Sequence, residues 1–268
     1  MGDRLKNKTA IIVGAGQTAG DRIGNGRAMA VLFAGEGARV MLVDRNMDSI
    51  LETKSLIDEK GGESFTFQAD IKVEENCRQI AEKCVEKYGQ IDILVNNVGI
   101  GTGDSSIANI NPEAWDQIMD VNLRGMFLTC KYVLPEMEKR ESGSIINISS
   151  AAAVCTTPVI AYKVSKAGVN ALTHQLAMDY SQKGIRVNAI MMGLLDTPMA
   201  IEEWKAGFKI EEAEIRTIRN SLVPLKGGQG DAWDTAYAAL FLASDESKFV
   251  TAINLPVDGG QCAKIGGA

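Results

Sequence analysis

The chain has a single histidine, His174, and that scarcity closes several routes at once. A Ser-His-Asp hydrolase would have to be built on that one imidazole, and a histidine-rich metal site cannot be assembled, so no metal is expected. The five cysteines, Cys77, Cys84, Cys130, Cys155 and Cys262, are odd in number and lack a Cys-x-x-Cys pair. They indicate neither a disulfide scaffold nor a redox motif, and a reduced, cytoplasmic protein is expected. No run approaches the roughly 18 apolar residues of a membrane-spanning helix. Positions 1–8 are polar and lack the apolar core of an export signal. Lysines and arginines are scattered through a chain of net charge −6, which argues against nucleic acid or an anionic membrane as partner.

What is present is ordinary globular composition, 46% hydrophobic with 27 glycines in 268 residues, enough for one large core over 1–268. Short apolar runs rich in Ile and Val predict strands at 9–13, 39–43, 64–68, 92–95, 144–148, 186–190 and 253–257. Helical spacing predicts helices at 26–34, 47–60, 73–88, 112–139 with an interruption near Gly125, 161–180 and 233–242. This alternation predicts a Rossmann-like, doubly wound α/β fold. It is a parallel sheet of about seven strands flanked by helices, with ligands at the carboxyl ends of the strands. The rhythm lapses between 194 and 230, a Glu-rich amphipathic stretch carrying Trp204, Phe208, Ile215 and Ile218. Its position after the sixth strand makes it a substrate lid by expectation, with a surface helical hairpin as the alternative.

Gly14, Gly16, Gly20, Gly24 and Gly26 fall between the first strand and the first helix. Glycines there let backbone approach a pyrophosphate beside a helix N-terminus, although the plain Gly-x-Gly-x-x-Gly pattern fails at Ala19. Asp44 ends the second strand, where a carboxylate accepts from both ribose hydroxyls and repels a 2'-phosphate, so NAD is favoured over NADP. Asp70 ends the third strand, placed for an adenine amino group, and Asn96, Asn97 and Gly99 end the fourth.

Tyr162 and Lys166 are four apart on a predicted helix, so they share a face. An ammonium beside a phenol favours the phenolate, which predicts a tyrosine pKa below its usual value near 10 and a general acid or base usable at neutral pH. Taken with these, the order of further motifs is specific. They are Ile-Gly-Asn-Gly at 23–26, Asn-Asn-Val-Gly at 96–99, Asn122, Ser149 with Ser150, Tyr-Lys-Val-Ser-Lys at 162–166, Asn188, Gly193 to Thr197, and Val-Asp-Gly-Gly at 257–260. Over its whole length the chain resembles the classical short-chain dehydrogenase/reductase family.

That resemblance implies a tetrad. Tyr162 exchanges the proton with the substrate oxygen, Ser150 hydrogen-bonds that oxygen, Lys166 holds the nicotinamide ribose, and Asn122 positions a relay water. It also implies cofactor contacts from Gly14, Gly24, Asn25, Gly26, Asp44, Asp70, Ile71, Asn97, Gly99, Tyr162, Lys166, Gly193, Leu195 and Thr197. A homotetramer is implied as well.

The chain departs from the family's pattern in several places. Nine residues separate Gly14 from Gly24 where three are usual, so the extra segment with Gln17, Thr18, Asp21 and Arg22 either wraps the pyrophosphate or bulges outward, the second being preferred. Val98, Met192 and Ala252 replace the usual Ala, Pro and Gly. Adjacent strand-end residues point to opposite sides, so only one of Ser149 and Ser150 faces substrate; the motif favours Ser150.

Ala152, Cys155, Pro158, Val159, Met192, Leu194, Leu195 and Met199, with Trp204 or Phe208, predict a mostly apolar pocket suited to a hydrophobic or cyclic secondary alcohol or its ketone. The alternatives are an NAD(P)H-dependent 3-ketoacyl-thioester reductase and a non-catalytic dinucleotide-binding protein.

Overall fold

A computed structural model describes residues 2–264, the side chain of Phe208 excepted. Seven strands, β1 (Thr9–Val13), β2 (Arg39–Asp44), β3 (Glu63–Gln68), β4 (Ile93–Asn96), β5 (Gly143–Ser150), β6 (Ile185–Met192) and β7 (Asn254–Val257), form one sheet. Their order is β3-β2-β1-β4-β5-β6-β7, and every neighbouring pair is parallel. The chain winds outward from β1 in both directions, so the carboxyl ends of β1 and β4 open a crevice at the switch point.

Alternation along the strands sorts the apolar residues between two layers. Ala10, Ile12, Val40, Leu42, Ile93 and Val95 pack toward α1 (Asn25–Gly35) and α9 (Ala232–Ala243). Ile11, Val13, Met41, Val43 and Leu94 pack toward α3 (Glu74–Tyr88) and α5 (Gly125–Glu138). Central β1 and β4 are buried throughout, whereas edge strands β3 and β7 are only partly covered, and Pro256 sits in an edge strand where its missing N–H does no harm.

The structure adds three features to the expected pattern. β5 and β6 run further than predicted, to Ser150 and Met192, which carries both into the crevice. The predicted helix over 112–139 is α4 (Pro112–Met119) and α5, joined by a π-helical turn at Asp120–Arg124. Gly125 itself is a packing residue, since a Cβ there would lie 2.6 Å from the Ile71 side chain. The segment after β6 forms two helices, α7 (Pro198–Phe208) and α8 (Glu212–Ser221), turning at Lys209 in the left-handed region (φ 54°). α2 (Met47–Asp58) and α6 (Ala161–Tyr180) complete the layers. No helix of the described residues is long and apolar enough to cross a membrane.

Candidate active site

The carboxyl end of β5, the first turns of α6 and the π-helical turn converge. Lys166 is 1% exposed; its Nζ donates to the Ile148 carbonyl at 2.8 Å and lies over the Tyr162 ring, 5.6 Å from the centroid. A π turn inserts an extra residue into a helix and redirects the side chains around it. Asn122 lies there, fully buried, accepting from Ile100 N at 2.8 Å and donating to Ile100 O at 2.9 Å and Ser165 Oγ at 3.1 Å. The two serines at the end of β5 diverge. Ser149 is buried and donates to the Lys166 carbonyl at 3.2 Å, whereas the Ser150 hydroxyl lies beside the Tyr162 phenol, near enough to influence its proton, and accepts from Ala152 N at 3.1 Å.

The electrostatics correct one expectation. Burial pushes the Tyr162 phenol up to about 12, the charge of Glu203 adds to that rise, and only the Ser150 hydroxyl opposes it. Lys166 does not depress the phenol, because burial lowers the ammonium itself to about 8, with Glu203 opposing. Desolvation of both groups outweighs the helical-spacing effect. Lys166 aims its hydrogen bond at the Ile148 carbonyl rather than at the phenol oxygen.

Two carboxylates complete this cluster, and sequence reasoning missed both. Asp104, in the loop after β4, accepts from the backbone N–H groups of Ile160 (3.2 Å), Ala161 (3.1 Å) and Tyr162 (2.7 Å). It caps α6 from outside, a helix whose own N-cap residue, Ile160, offers no side-chain acceptor. Glu203, on α7, accepts from Gly101 N at 3.0 Å and lies near enough to Tyr162 and Lys166 to shift both. Neither carries a local signal. Each acts on a segment far away in the chain.

The residues expected to hold the cofactor form a continuous cradle. Gly14 has φ 84°, and a Cβ on Gly26 would come within 1.8 Å of the Gly14 carbonyl, so the loop and α1 touch backbone to backbone. Asn97 Nδ2 ties the same carbonyl at 3.0 Å. Gln17 Oε1 accepts from Gly24 N at 2.8 Å, stapling the base of the insertion, while 18–22 are exposed and Gly24 and Gly26 buried. The insertion is an exposed loop that leans toward the start of α7, where a Cβ on Gly20 would lie 2.8 Å from Pro198. Helix α1 starts without a side-chain cap, so the N–H groups of its first turn are left for a bound pyrophosphate.

Asp44 Oδ2 accepts from Gly16 N at 3.2 Å, which places the carboxylate against the glycine loop. Asp70 accepts from Lys72 N at 2.9 Å beside the buried Ile71. A Cβ on Gly99 would lie 3.1 Å from Lys166 Nζ. Gly193 packs its backbone against Asp258, Leu195 offers its carbonyl to Arg219 at 2.8 Å, and the buried Thr197 starts α7. Asn96, by contrast, is structural. It links Thr129 (2.7 Å) to Asn147 (2.9 Å), which continues to Thr173 at 3.0 Å, a polar chain across the core.

The segment of α7 and α8, the expected lid, is bound to this cradle by charge. Arg216 of α8 holds Asp196 at 3.0 Å and reaches Asp21 of the insertion at 3.2 Å, while Arg22 lies 3.4 Å from Asp196. Between the insertion and α7 is a cavity of about 260 Å³ lined by Ala19, Gly20, Pro198 and Ile201 among others. Arg219 is 2% exposed, donates to Gln229 at 2.8 Å and stacks on Trp204, 5.2 Å from the ring centroid. Of the other predicted wall residues, Met192 Sδ accepts from Asn25 at 3.3 Å and Cys155 Sγ lies 4.0 Å from Cys262 Sγ. His174 is exposed on α6. Phe208, expected on the lid wall, has its side chain outside the described residues.

Comparison with known proteins agrees with this architecture. A family model described as enoyl-(acyl carrier protein) reductase matches residues 19–261. A crystal structure of a putative short-chain dehydrogenase/reductase from Burkholderia xenovorans superposes with a TM-score of 0.93 at 37% identity, covering 98% of this chain and 100% of that one. The 3-oxoacyl-[acyl-carrier-protein] reductase of Thermotoga maritima is 36% identical over 261 residues, 96% of this chain and 98% of that protein. The 3beta-hydroxysteroid dehydrogenase 1 of Eggerthella lenta is 37% identical over 263 residues, 97% and 95% of the two chains. The chain belongs to the classical short-chain dehydrogenase/reductase family. It is an NAD(P)-dependent oxidoreductase acting on alcohols or ketones.

Proposed function

We propose that the protein interconverts a cyclic or hydrophobic secondary alcohol and its ketone with NAD, using Tyr162 as general acid and base. The observation that carries the reading is the convergence of Ser150, Tyr162, Lys166 and Asn122 at one strand end. Bound NAD supplies the hydride acceptor, and the residues of the chain hold and move the proton. Ser150 Oγ fixes the substrate oxygen beside the Tyr162 phenol, which takes the carbinol proton in oxidation and returns it in reduction. Lys166 is set to hold the nicotinamide ribose, and Asn122 to position the water through which Lys166 reaches solvent. Gly14, Gly24, Asn25 and Gly26 would receive the pyrophosphate, Asp70 and Ile71 the adenine, and Asn97, Gly99, Gly193, Leu195 and Thr197 the nicotinamide end. Asp44, lodged against the glycine loop, supports NAD over NADP, since a 2'-phosphate would meet its charge.

The test is a panel of ring alcohols and ketones followed by NADH absorbance, with Tyr162→Phe as control. Turnover that survives in the variant would overturn the mechanism. A second reading, reduction of a 3-ketoacyl thioester, is favoured by the Thermotoga maritima relative, and an NADP preference in steady-state kinetics would select it. Assembly as a homotetramer through α5 and α6 accounts for exposed Phe127 and Met178 there, and light scattering measures it.

A further inference from the structure

The lid brings one charged group to the catalytic cluster. Glu203 projects from the second turn of α7 toward the loop after β4, and one carboxylate oxygen, Oε1, accepts from Gly101 N at 3.0 Å. The other oxygen makes no hydrogen bond among the described residues. The nearest lid cation, Arg219, is committed elsewhere, to Leu195 O, Gln229 Oε1 and the Trp204 ring, and forms no ion pair with Glu203. Lys166, whose charge Glu203 feels, gives its hydrogen bond to Ile148 O. The result is a half-buried acceptor beside the proton-transfer residues, with a lone pair unmet. The charge is partly shielded from water on the side of Tyr162 and Lys166, and that oxygen is open to a donor entering the site.

We propose that Glu203 is a specificity residue. Its free carboxylate oxygen accepts a hydrogen bond from a second donor on the substrate, a hydroxyl or ammonium near the reacting carbinol. This rests on the dehydrogenase reading above and narrows it. The favoured substrates are ring diols, hydroxyketones and amino alcohols. Carboxylate-bearing alcohols are rejected, because their charge meets that of Glu203. The remaining faces of the site do not supply such a group. Ser150 and Tyr162 are taken by the reacting oxygen, Asp104 is saturated by the N-terminus of α6, and Asn122 is bonded to Ile100 and Ser165.

The experiment measures kcat/KM for cyclohexanol, vicinal cyclohexanediol, vicinal aminocyclohexanol and hydroxycyclohexanecarboxylate in the wild type, Glu203→Gln and Glu203→Leu. A hydrogen bond to a charged acceptor predicts a diol preference over cyclohexanol of about tenfold or more in the wild type. In Glu203→Leu that ratio falls to near one. Glu203→Gln keeps part of the diol preference, loses the preference for the amine and accepts the carboxylate.

A tether that only holds α7 to Gly101 would change all four substrates alike and leave the ratios untouched, which would overturn the assignment. A second readout is the pH profile of oxidation. The groups facing the Tyr162 phenol are Lys166 from α6 and Glu203 from α7, with Asp104 on its backbone and Arg219 beyond Glu203. Removing the Glu203 charge moves the rise of oxidation to lower pH, and a profile that stays put would count against the proposal. Equal wild-type preference for diol and cyclohexanol overturns the Glu203 role alone. NAD binding without turnover of any probe overturns the dehydrogenase reading as well.

Discussion

On the sheet side of the site, Lys166 and Asn122 are buried and held by backbone partners, Ile148 O for the one and Ile100 for the other. On the side of α7 and α8, Glu203 and Arg216 reach the rest of the chain through single side chains, to Gly101 N and Asp21, while Arg219 bonds within its own segment to Leu195 O. The difference separates two tasks. Proton transfer needs groups fixed within tenths of an ångström, which strands and helix starts provide. Substrate choice and entry call for a part held less tightly, and a helical pair carried on partly exposed charges is such a part.

The contrast breaks first at Tyr162. Tyr162→Phe should lower kcat by roughly a thousandfold or more, within the range a general acid-base group contributes, while the NADH dissociation constant from fluorescence titration stays nearly unchanged. The wild-type pH profile carries the sign of the same group. Oxidation needs the phenol deprotonated, and with the phenol pushed up to about 12 its rate should climb with pH across the neutral and mildly alkaline range. Reduction needs the phenol protonated and should show no alkaline loss from this group until near that value. A bell with an alkaline limb near 8 would instead assign the controlling proton to Lys166, the group lowered to about that value.

Ser149 and Ser150 sharpen the comparison within one strand end. Ser150→Ala should cost about a hundredfold in kcat, as loss of an oriented hydrogen-bond donor at the reacting oxygen does. Ser149→Ala removes a buried bond to the Lys166 carbonyl and should show as about 1 kcal/mol of lost stability in urea titration, with little change in kcat. The reverse pattern would place the other serine at the substrate.

Asp104 tests whether positioning from a distance counts. Asp104→Ala leaves the N–H groups of Ala161 and Tyr162 without their acceptor, Ile160 N keeping the Ser105 carbonyl, and should destabilise by about 1–2 kcal/mol, the scale of a lost helix cap. Because the helix start carries Tyr162, kcat should also fall by about tenfold with KM barely altered. Asp104→Asn, which keeps an acceptor, should restore most of both.

Much of this was legible in the sequence, and the reasons are local. β1 and β4 are buried, so their runs of Ile, Val and Leu stand out, and the i,i+4 spacing of Tyr162 and Lys166 survives any detail of packing. The start of α1 at Asn25 followed from Ile-Gly-Asn-Gly leading directly into an apolar helix. The depression of the Tyr162 pKa did not follow, because sequence spacing carries no information about desolvation, which dominates here. Asp104 and Glu203 were invisible for a different reason. One caps a helix 58 residues away, and the other is one acid among Glu202, Glu211, Glu212 and Glu214, distinguished only by the phase of α7 against the loop after β4.

The smallest effect is expected at the latch between lid and insertion, and it is the most direct measure of how loosely the lid is held. Arg216 bridges Asp196 and Asp21 with about a quarter of its side chain exposed (23%), and Asp21 is 64% exposed. Solvent screens such pairs, so Arg216→Ala should cost about 1 kcal/mol or less of stability. Yet the same bridge fastens the nine-residue spacer of the glycine loop to the segment of α7 and α8, our proposed lid, and no backbone hydrogen bond joins the two among the described residues. Its loss should therefore raise KM for the alcohol by about threefold to fivefold with kcat held, the signature of a lid that closes less often. Added salt should reproduce that rise in the wild type and have a smaller further effect in the variant, where only the Arg22–Asp196 pair at 3.4 Å is left to screen.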